Sequence, residues 1–125
     1  MDSPKDALKH LQQRINGTLD AGREAAIAKR HAKGYRSARE NVASLCDADS
    51  FIEYGQMAVA AQRMRRDPVE LQTATAADGI ITGIANVNAD EHGKDHSKAA
   101  LVVNDYSVLA GTQGYFHHKK LDRIL

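Results

Sequence analysis

The apolar positions along this chain change their period at Phe51 and again in the final helix. In the first third they recur at helical spacing, with Leu8, Leu11 and Ile15 on one face of a segment that opens on Ser3-Pro4-Lys5-Asp6 and stops at Gly17. A serine N-cap, a proline at the first helical position and an acid in the first turn are start signals, and a glycine is a stop. A second helix, rich in alanine through Ala25, Ala26 and Ala28 and capped by Thr18 or Asp20, is predicted to end near Gly34. The pair reads as a helical hairpin. Its apolar stripe is too narrow to fold alone, so it is expected to lie against another part of the protein or a partner chain. Ser37-Ala38-Arg39-Glu40 is a capping box that opens a third helix. Val42 and Leu45 are expected on its buried side, and Asp47 to Ser50 as the turn that ends it.

From Phe51 the pattern shortens. Phe51-Ile52-Glu53-Tyr54 has the β-branched and aromatic content of a strand, and Met57 to Ala61 is either its continuation or the start of a bend. Gln62 to Ala77, with Arg63, Arg65, Arg66, Pro68 and a run of small polar residues, reads as loop. Gly79 to Val87 and Ala99 to Val103 read as two strands of a hairpin whose long, very polar tip is Asn88 to Lys98. After Asp105 the turn Ala110-Gly111-Thr112-Gln113-Gly114 leads into a final helix, with Thr112 as its N-cap and Leu121, Ile124 and Leu125 facing inward. A helix that stops on Ile124-Leu125 with no glycine, polar run or proline after it reads as cut rather than finished.

Composition narrows the function classes. With 42% apolar and 26% charged residues over 125 positions, the chain has the balance of one globular domain. A net charge of +1, no Trp, two Phe and four Tyr supply neither the field nor the stacking surface of a typical nucleic-acid binder. No apolar run approaches the ~20 residues of a membrane span or the core of a signal peptide, so a cytoplasmic protein is expected. Cys46 is the single cysteine, which forbids an intramolecular disulfide and agrees with a reducing compartment. It reads as a small, partly buried apolar side chain rather than a nucleophile.

The candidate chemistry sits at the glycine turn. A glycine-bearing turn between a strand and a helix can present backbone N–H groups to an anion or a polarised carbonyl without a side-chain catalyst. Taken alone, Ala-Gly-Thr-Gln-Gly is a weak signal, since such joints also use glycine for steric reasons. Asp105 beside the turn reads as a turn-stabilising acid. His92 and His96 lie in the hairpin tip and read as solvated histidines, with no metal site expected. His117-His118-Lys119-Lys120 reads as a solvated basic face, with a cationic edge for a phosphorylated ligand as the alternative. Arg63, Arg65 and Arg66 read as a solvated loop. No catalytic side-chain constellation stands out.

Three blocks in order carry a resemblance over roughly residues 34 to 125. Gly34-Tyr35-Arg36-Ser37-Ala38-Arg39-Glu40 with Leu45-Cys46-Asp47-Ala48-Asp49-Ser50-Phe51-Ile52-Glu53 resembles the "GK-T-ARER…LLD-GSF-E" opening of the carboxyltransferase (beta) subunits of biotin-dependent acyl-CoA carboxylases, of the acetyl- and propionyl-CoA carboxylase type. Ala77-Asp78-Gly79-Ile80-Ile81-Thr82-Gly83 is similar to that family's "DGVVTG" strand, and the segment from Asp105 to Gly114 to its "DFTVFGGSLG". Tyr35 stands in place of the usual lysine, Cys46 of the second leucine and Ala110 of the first glycine, and the Asn88 to Lys98 tip is longer than usual. The family's "SGGAR"-like segment, whose amides form an oxyanion hole, lies downstream of Leu125, as does the half that receives biotin.

The resemblance implies an α/β chain: a partial crotonase-like (ClpP/crotonase) β-β-α fold preceded by the helical hairpin. Residues 1–34 are then a helical lead-in and 35–125 the first, incomplete part of the amino-terminal carboxyltransferase subdomain. It implies that carboxybiotin yields CO2, that the biotin enolate removes the α-proton of an acyl-CoA, and that the thioester enolate attacks CO2. Both intermediates are oxyanions that backbone amides can stabilise, so no catalytic side chain is implied here. Leu109, Ala110, Gly111, Thr112, Gln113 and Gly114 would lie on the acyl-CoA side. The implied cofactor is biotin on a separate carrier. The implied partners are acyl-CoA, the biotin carboxyl carrier and biotin carboxylase domains or subunits, the remainder of the carboxyltransferase and further copies in a homo-oligomer, with no nucleic acid and no membrane. A stand-alone CoA-binding or carboxylase-assembly module and an inactive remnant are the competing readings.

Overall fold

In a computed structural model that describes residues 3–125, the strand β2 (Ile80–Asn86) is the centre of the molecule. It pairs antiparallel with β1 (Ile52–Tyr54) on one side and with β3 (Lys98–Asn104) on the other, in the order β1-β2-β3. The registers are Tyr54 opposite Thr82 and Gly83 opposite Leu101. The near-continuous apolar run of β2 is what a strand covered on both faces requires. On one face Ile81 and Ala85 pack with Leu101 of β3 and with Ala38 and Val42 of α3 (Ala38–Leu45). On the other face lies α6 (Tyr115–Ile124). Among the described residues β3 is paired on one side only. The hairpin tip expected at Asn88 to Lys98 is present and holds a short helix, α5 (Ala89–His92).

The lead-in helices are α1 (Pro4–Asn16) and α2 (Glu24–Ala32). Ser3 closes a capping box with Asp6 on α1, and Ser37 does the same with Glu40 on α3. α1 and α2 do not pack side by side along their lengths, so the hairpin exists in sequence order only. α1 buries none of its residues, and Leu8 and Leu11 are exposed. The second helix is not capped by Thr18 or Asp20. A tight turn at Asp20–Gly22 intervenes, Arg23 takes the cap position with its side chain making no capping bond to α2, and the Asp20 carboxylate accepts the Ser37 hydroxyl instead. Long-range hydrogen bonding here outcompetes the local cap.

Two further expectations are corrected. The loop-like segment 62–77 contains α4 (Pro68–Ala74): Asp67 caps it by accepting the Val69 N–H at 2.8 Å, Pro68 fits the first turn, and Leu71 is fully buried. Leu45 is exposed rather than buried, because α3 ends there and Cys46 packs against the core in its place. Of the two readings for Met57 to Ala61 the bend holds, since the segment is irregular and adds no strand. No helix among the described residues is long and apolar enough to cross a membrane.

Candidate functional site

Two left-handed turns abut at the carboxy-terminal end of the sheet's connections. Ala77, Asp78 and Gly79 have φ of 56°, 49° and 76°, and Leu109, Ala110 and Gly111 have 48°, 54° and 78°. Such values are ordinary for glycine but strained for the other four residues, at about 1–3 kcal/mol each, and they persist only where the surroundings over-determine the backbone. The determinants are visible. Asp105 N–H donates to Gly79 O at 2.8 Å, and a Cβ on Gly79 would lie 3.3 Å from Val108 Cγ1. The first turn belongs to the Asp-Gly block ahead of β2 and the second to the glycine turn ahead of α6.

The structure divides the expected amide cradle. Gly111 N–H donates to Val108 O at 3.0 Å and Thr112 N–H to Leu109 O at 3.1 Å, so these two amides close the turn on itself. Thr112 is not the N-cap of α6. Its hydroxyl donates back to Leu109 O at 2.8 Å, and Gly114 holds the cap position. The anion at this helix end comes from within the chain: the buried Asp78 carboxylate accepts the His117 N–H at 2.9 Å, and a Cβ on Gly114 would come within 2.5 Å of Asp78 Oδ1. Leu109, Ala110, Thr112 and Gln113 are exposed, and Gly111 and Gly114 half-buried.

The exposed side of the turn opens on cations. A hollow of about 320 Å³ between α2 and the segment 106–110 is lined by Lys29, Arg30, Lys33, Tyr106 and Ala110 among others. It adjoins a second hollow of about 510 Å³ bounded by Arg30, Lys33, Tyr35 and Tyr106. The Arg30 guanidinium lies 4.8 Å from the Tyr35 ring centroid and 5.4 Å from that of Tyr106, and it donates to Arg36 O at 3.3 Å. These α2 residues were not singled out by the sequence. Their only signal is the i, i+4 spacing of Lys29 and Lys33 on a helix whose position relative to the turn is a tertiary fact.

Buried ion pairs fix the frame. Asp105 Oδ1 accepts from the Ser107 N–H at 2.9 Å and from its hydroxyl at 2.6 Å, the turn-stabilising role expected. Its other oxygen pairs with the buried Arg23 at 3.3 Å, and Arg23 also donates to Thr73 O at 2.7 Å. Arg39 grips Glu53 through two bonds of 2.7 and 3.1 Å and donates to Thr18 O at 3.0 Å. Both residues stand in the block that carries the family resemblance.

The expected solvated basic face on α6 is only half right. His118 and Lys119 are exposed, but His117 is 2% exposed and Lys120 9%. They lie on the inward stripe that continues through Leu121 and Ile124, both half-buried, whereas Leu125 is exposed. Lys120 Nζ donates to Ala77 O at 2.9 Å and to Ile80 O, and burial pulls its pKa down to about 8. His92 and His96 are exposed in the hairpin tip. Arg66 pairs with Glu70, while Arg63 borders an apolar hollow shared with Met57, Met64 and Phe116. Cys46 is half-buried, and burial raises its thiol pKa.

Comparison with known proteins agrees across sequence and structure. No protein-family model matches the chain. It is 30% identical over 119 residues to a propionyl-CoA carboxylase beta chain of Saccharopolyspora erythraea, covering 94% of this chain and 20% of that protein. It is 31% identical over 120 residues to the biotin-dependent long-chain acyl-coenzyme A carboxylase beta4 subunit of Mycobacterium tuberculosis, covering 96% of this chain and 20% of that one. A solved single-chain, multi-domain long-chain acyl-CoA carboxylase matches 99% of this chain with a TM-score of 0.92 and 46% identity, over 12% of its own length. The transcarboxylase 12S structure shares the fold at a TM-score of 0.75 and 22% identity. The chain thus spans about a fifth of the curated relatives it matches. It is related, as a segment of that size, to the carboxyltransferase (beta) subunits of biotin-dependent acyl-CoA carboxylases.

Proposed function

We propose that the chain is the amino-terminal portion of a carboxyltransferase that moves a carboxyl group from carboxybiotin to the α-carbon of an acyl-CoA, and that it forms the acyl-CoA side without turnover of its own. The observation that carries this is the match over 99% of the chain, at 46% identity, to the solved long-chain acyl-CoA carboxylase. The mixed helical and antiparallel architecture then forms part of a crotonase-like fold. Residues 1–34 serve as its lead-in, with the remainder of the carboxyltransferase, the biotin carboxyl carrier, biotin carboxylase and further copies as partners in the cytoplasm.

In this reading the turn Leu109 to Gly114 lines the thioester end of the substrate. The strained pair of turns holds Leu109, Ala110, Thr112 and Gln113 at the surface, and Asp78 keeps α6 in place behind them. Biotin supplies the transferred carboxyl group when its carrier docks. No side chain of this chain is assigned to hold it, and the two turn amides at Gly111 and Thr112 are closed on Val108 and Leu109.

Placing a valine at Gly111 in the complete enzyme tests the assignment. A Cβ there meets only Tyr106, at 3.4 Å, but the φ of 78° is strained for any side chain, so the turn should shift. The expected result is a KM for acyl-CoA raised about tenfold, equivalent to ~1.4 kcal/mol. Unchanged kinetics would remove the turn from the substrate site. Carboxyl transfer by the isolated 125 residues would overturn the reading of the chain as a portion without turnover.

A further inference from the structure

We propose that α1 is a docking helix for a second amphipathic helix, one that belongs to a different chain or domain and brings an apolar seam flanked by carboxylates. α1 is helical without being covered. Positions 4 to 13 are all exposed, with Leu8 at 61% and Leu11 at 48%. Its 13 residues are a marginal length for a helix held by its own hydrogen bonds, and such helices persist in proteins by burying an apolar face. Only the carboxy-terminal end is held by the body of the fold: Arg14 donates to Met57 O at 3.3 Å, and Ile15 is half-buried. The turns before it stand out with their stripe uncovered by any described residue.

The stripe has the width of a seam rather than of a core face. Leu8, Leu11 and Ile15 recur at spacings of three and four, the a and d positions of a heptad. Beside the seam stand Lys5 and Gln12 on one flank and Ala7 and Arg14 on the other. Asp6, the single acid of the helix, points away from the stripe and is closed in the cap with Ser3. Lys5 and Lys9 are exposed, and among the described residues no ion pair engages them.

Charge selects the occupant. A second copy of α1 brings the same basic helix, with no carboxylate to meet these flanks. Its three seam residues also cover far less than the roughly 1,200 Å² that a stable pair of chains buries. A bilayer surface calls for a broad apolar face, which three residues do not supply. A partner helix with Glu or Asp beside its own seam pairs with Lys5 and Lys9 while covering Leu8 and Leu11, and such flanking ion pairs are what sets partner choice between helices. So short a seam suits a helix that other contacts of an assembly also hold in place.

The test is a nuclear magnetic resonance titration of the isotope-labelled 125-residue chain at low salt. The probes are a heptad peptide with a leucine seam flanked by glutamate, the same peptide flanked by lysine, a peptide of residues 3–17 of this chain, and phosphatidylserine vesicles. The glutamate peptide is expected to shift the α1 amides and to bind about tenfold more tightly than either other peptide, with no shift from the vesicles. Leu8→Ser with Leu11→Ser should weaken it about tenfold, whereas Leu45→Ser, at another exposed leucine, should leave it unchanged. Lys5→Glu with Lys9→Glu should turn the preference toward the lysine peptide. All these residues are exposed, and circular dichroism checks that each variant is folded. Tighter binding of the 3–17 peptide would make the face a contact between copies, and α1 shifts from vesicles would make it a lipid contact; either overturns the proposal. So does a folded chain that binds no peptide, or binds the glutamate and lysine peptides equally.

Discussion

Asp78 caps the last helix from 39 residues away, its carboxylate accepting the His117 N–H at 2.9 Å while Gly114 leaves room for it. The cap is held in a left-handed backbone at φ 49°, which asparagine adopts at less cost than alanine. Asp78→Ala should therefore lower stability in urea by about 1–3 kcal/mol, and Asp78→Asn by less. Gly114→Ala should destabilise the native chain but cost much less in the Asp78→Ala background, because the clash is with that carboxylate. Additive losses would break the link between the two positions.

Gly83 marks the tightest place in the sheet. A Cβ there would stand 2.2 Å from Ile52 O and 2.7 Å from a Phe51 ring carbon. Gly83→Ala is expected to push β1 away from β2 and to cost about 1–3 kcal/mol or more by thermal or chemical denaturation. A wild-type midpoint would mean that the two strands are not held in this register.

The Arg39–Glu53 pair, with side chains 16% and 7% exposed, joins α3 to β1. Breaking it from one side strands a buried charge, so Arg39→Met and Glu53→Gln should each cost about 3–5 kcal/mol. The double variant should cost clearly less than their sum. A cycle showing no coupling would assign the single losses to packing.

Lys120 makes stability depend on pH in the alkaline range. Its pKa is about 8 in the fold, against an ordinary value of 10.5, because burial penalises the ammonium. Between these values the native chain binds fewer protons than the unfolded chain, so stability rises as pH climbs from about 8 to 10.5. The contribution is lost as pH falls through 8. Denaturation midpoints measured across that range should show the rise, and Lys120→Met should flatten it while lowering stability, since Ala77 O and Ile80 O lose their donor.

What was legible in the chain was local. The N-cap at Ser3, the capping box at Ser37, the strand runs around Ile52, Ile81 and Leu101, and the long hairpin tip are all set by residues within a few positions of one another, and they formed where expected. The family blocks pointed to the right relatives. What failed was tertiary. Asp78, and not Thr112, caps α6, and the Asp20 carboxylate takes the Ser37 hydroxyl in preference to opening α2. His117 and Lys120 are buried because the inward stripe of α6 begins with polar residues, a choice satisfied only by carbonyls of the turn before β2. α4 was hidden by its arginine-rich approach, although Asp67-Pro68 is a helix-start signal. The α2 cations gained meaning only once Tyr106 and Ala110 were beside them.

The outer margin of β3 bears on how the isolated chain behaves in solution. Paired on one side only among the described residues, this strand of seven residues leaves its outward N–H and C=O groups as an unfinished ladder, with Val102 41% exposed along it and a charge only at Lys98. Such a margin is a template for any extended segment that arrives. Strand addition between copies will then rise with concentration, and the chain's solubility is set by what reaches that ladder first.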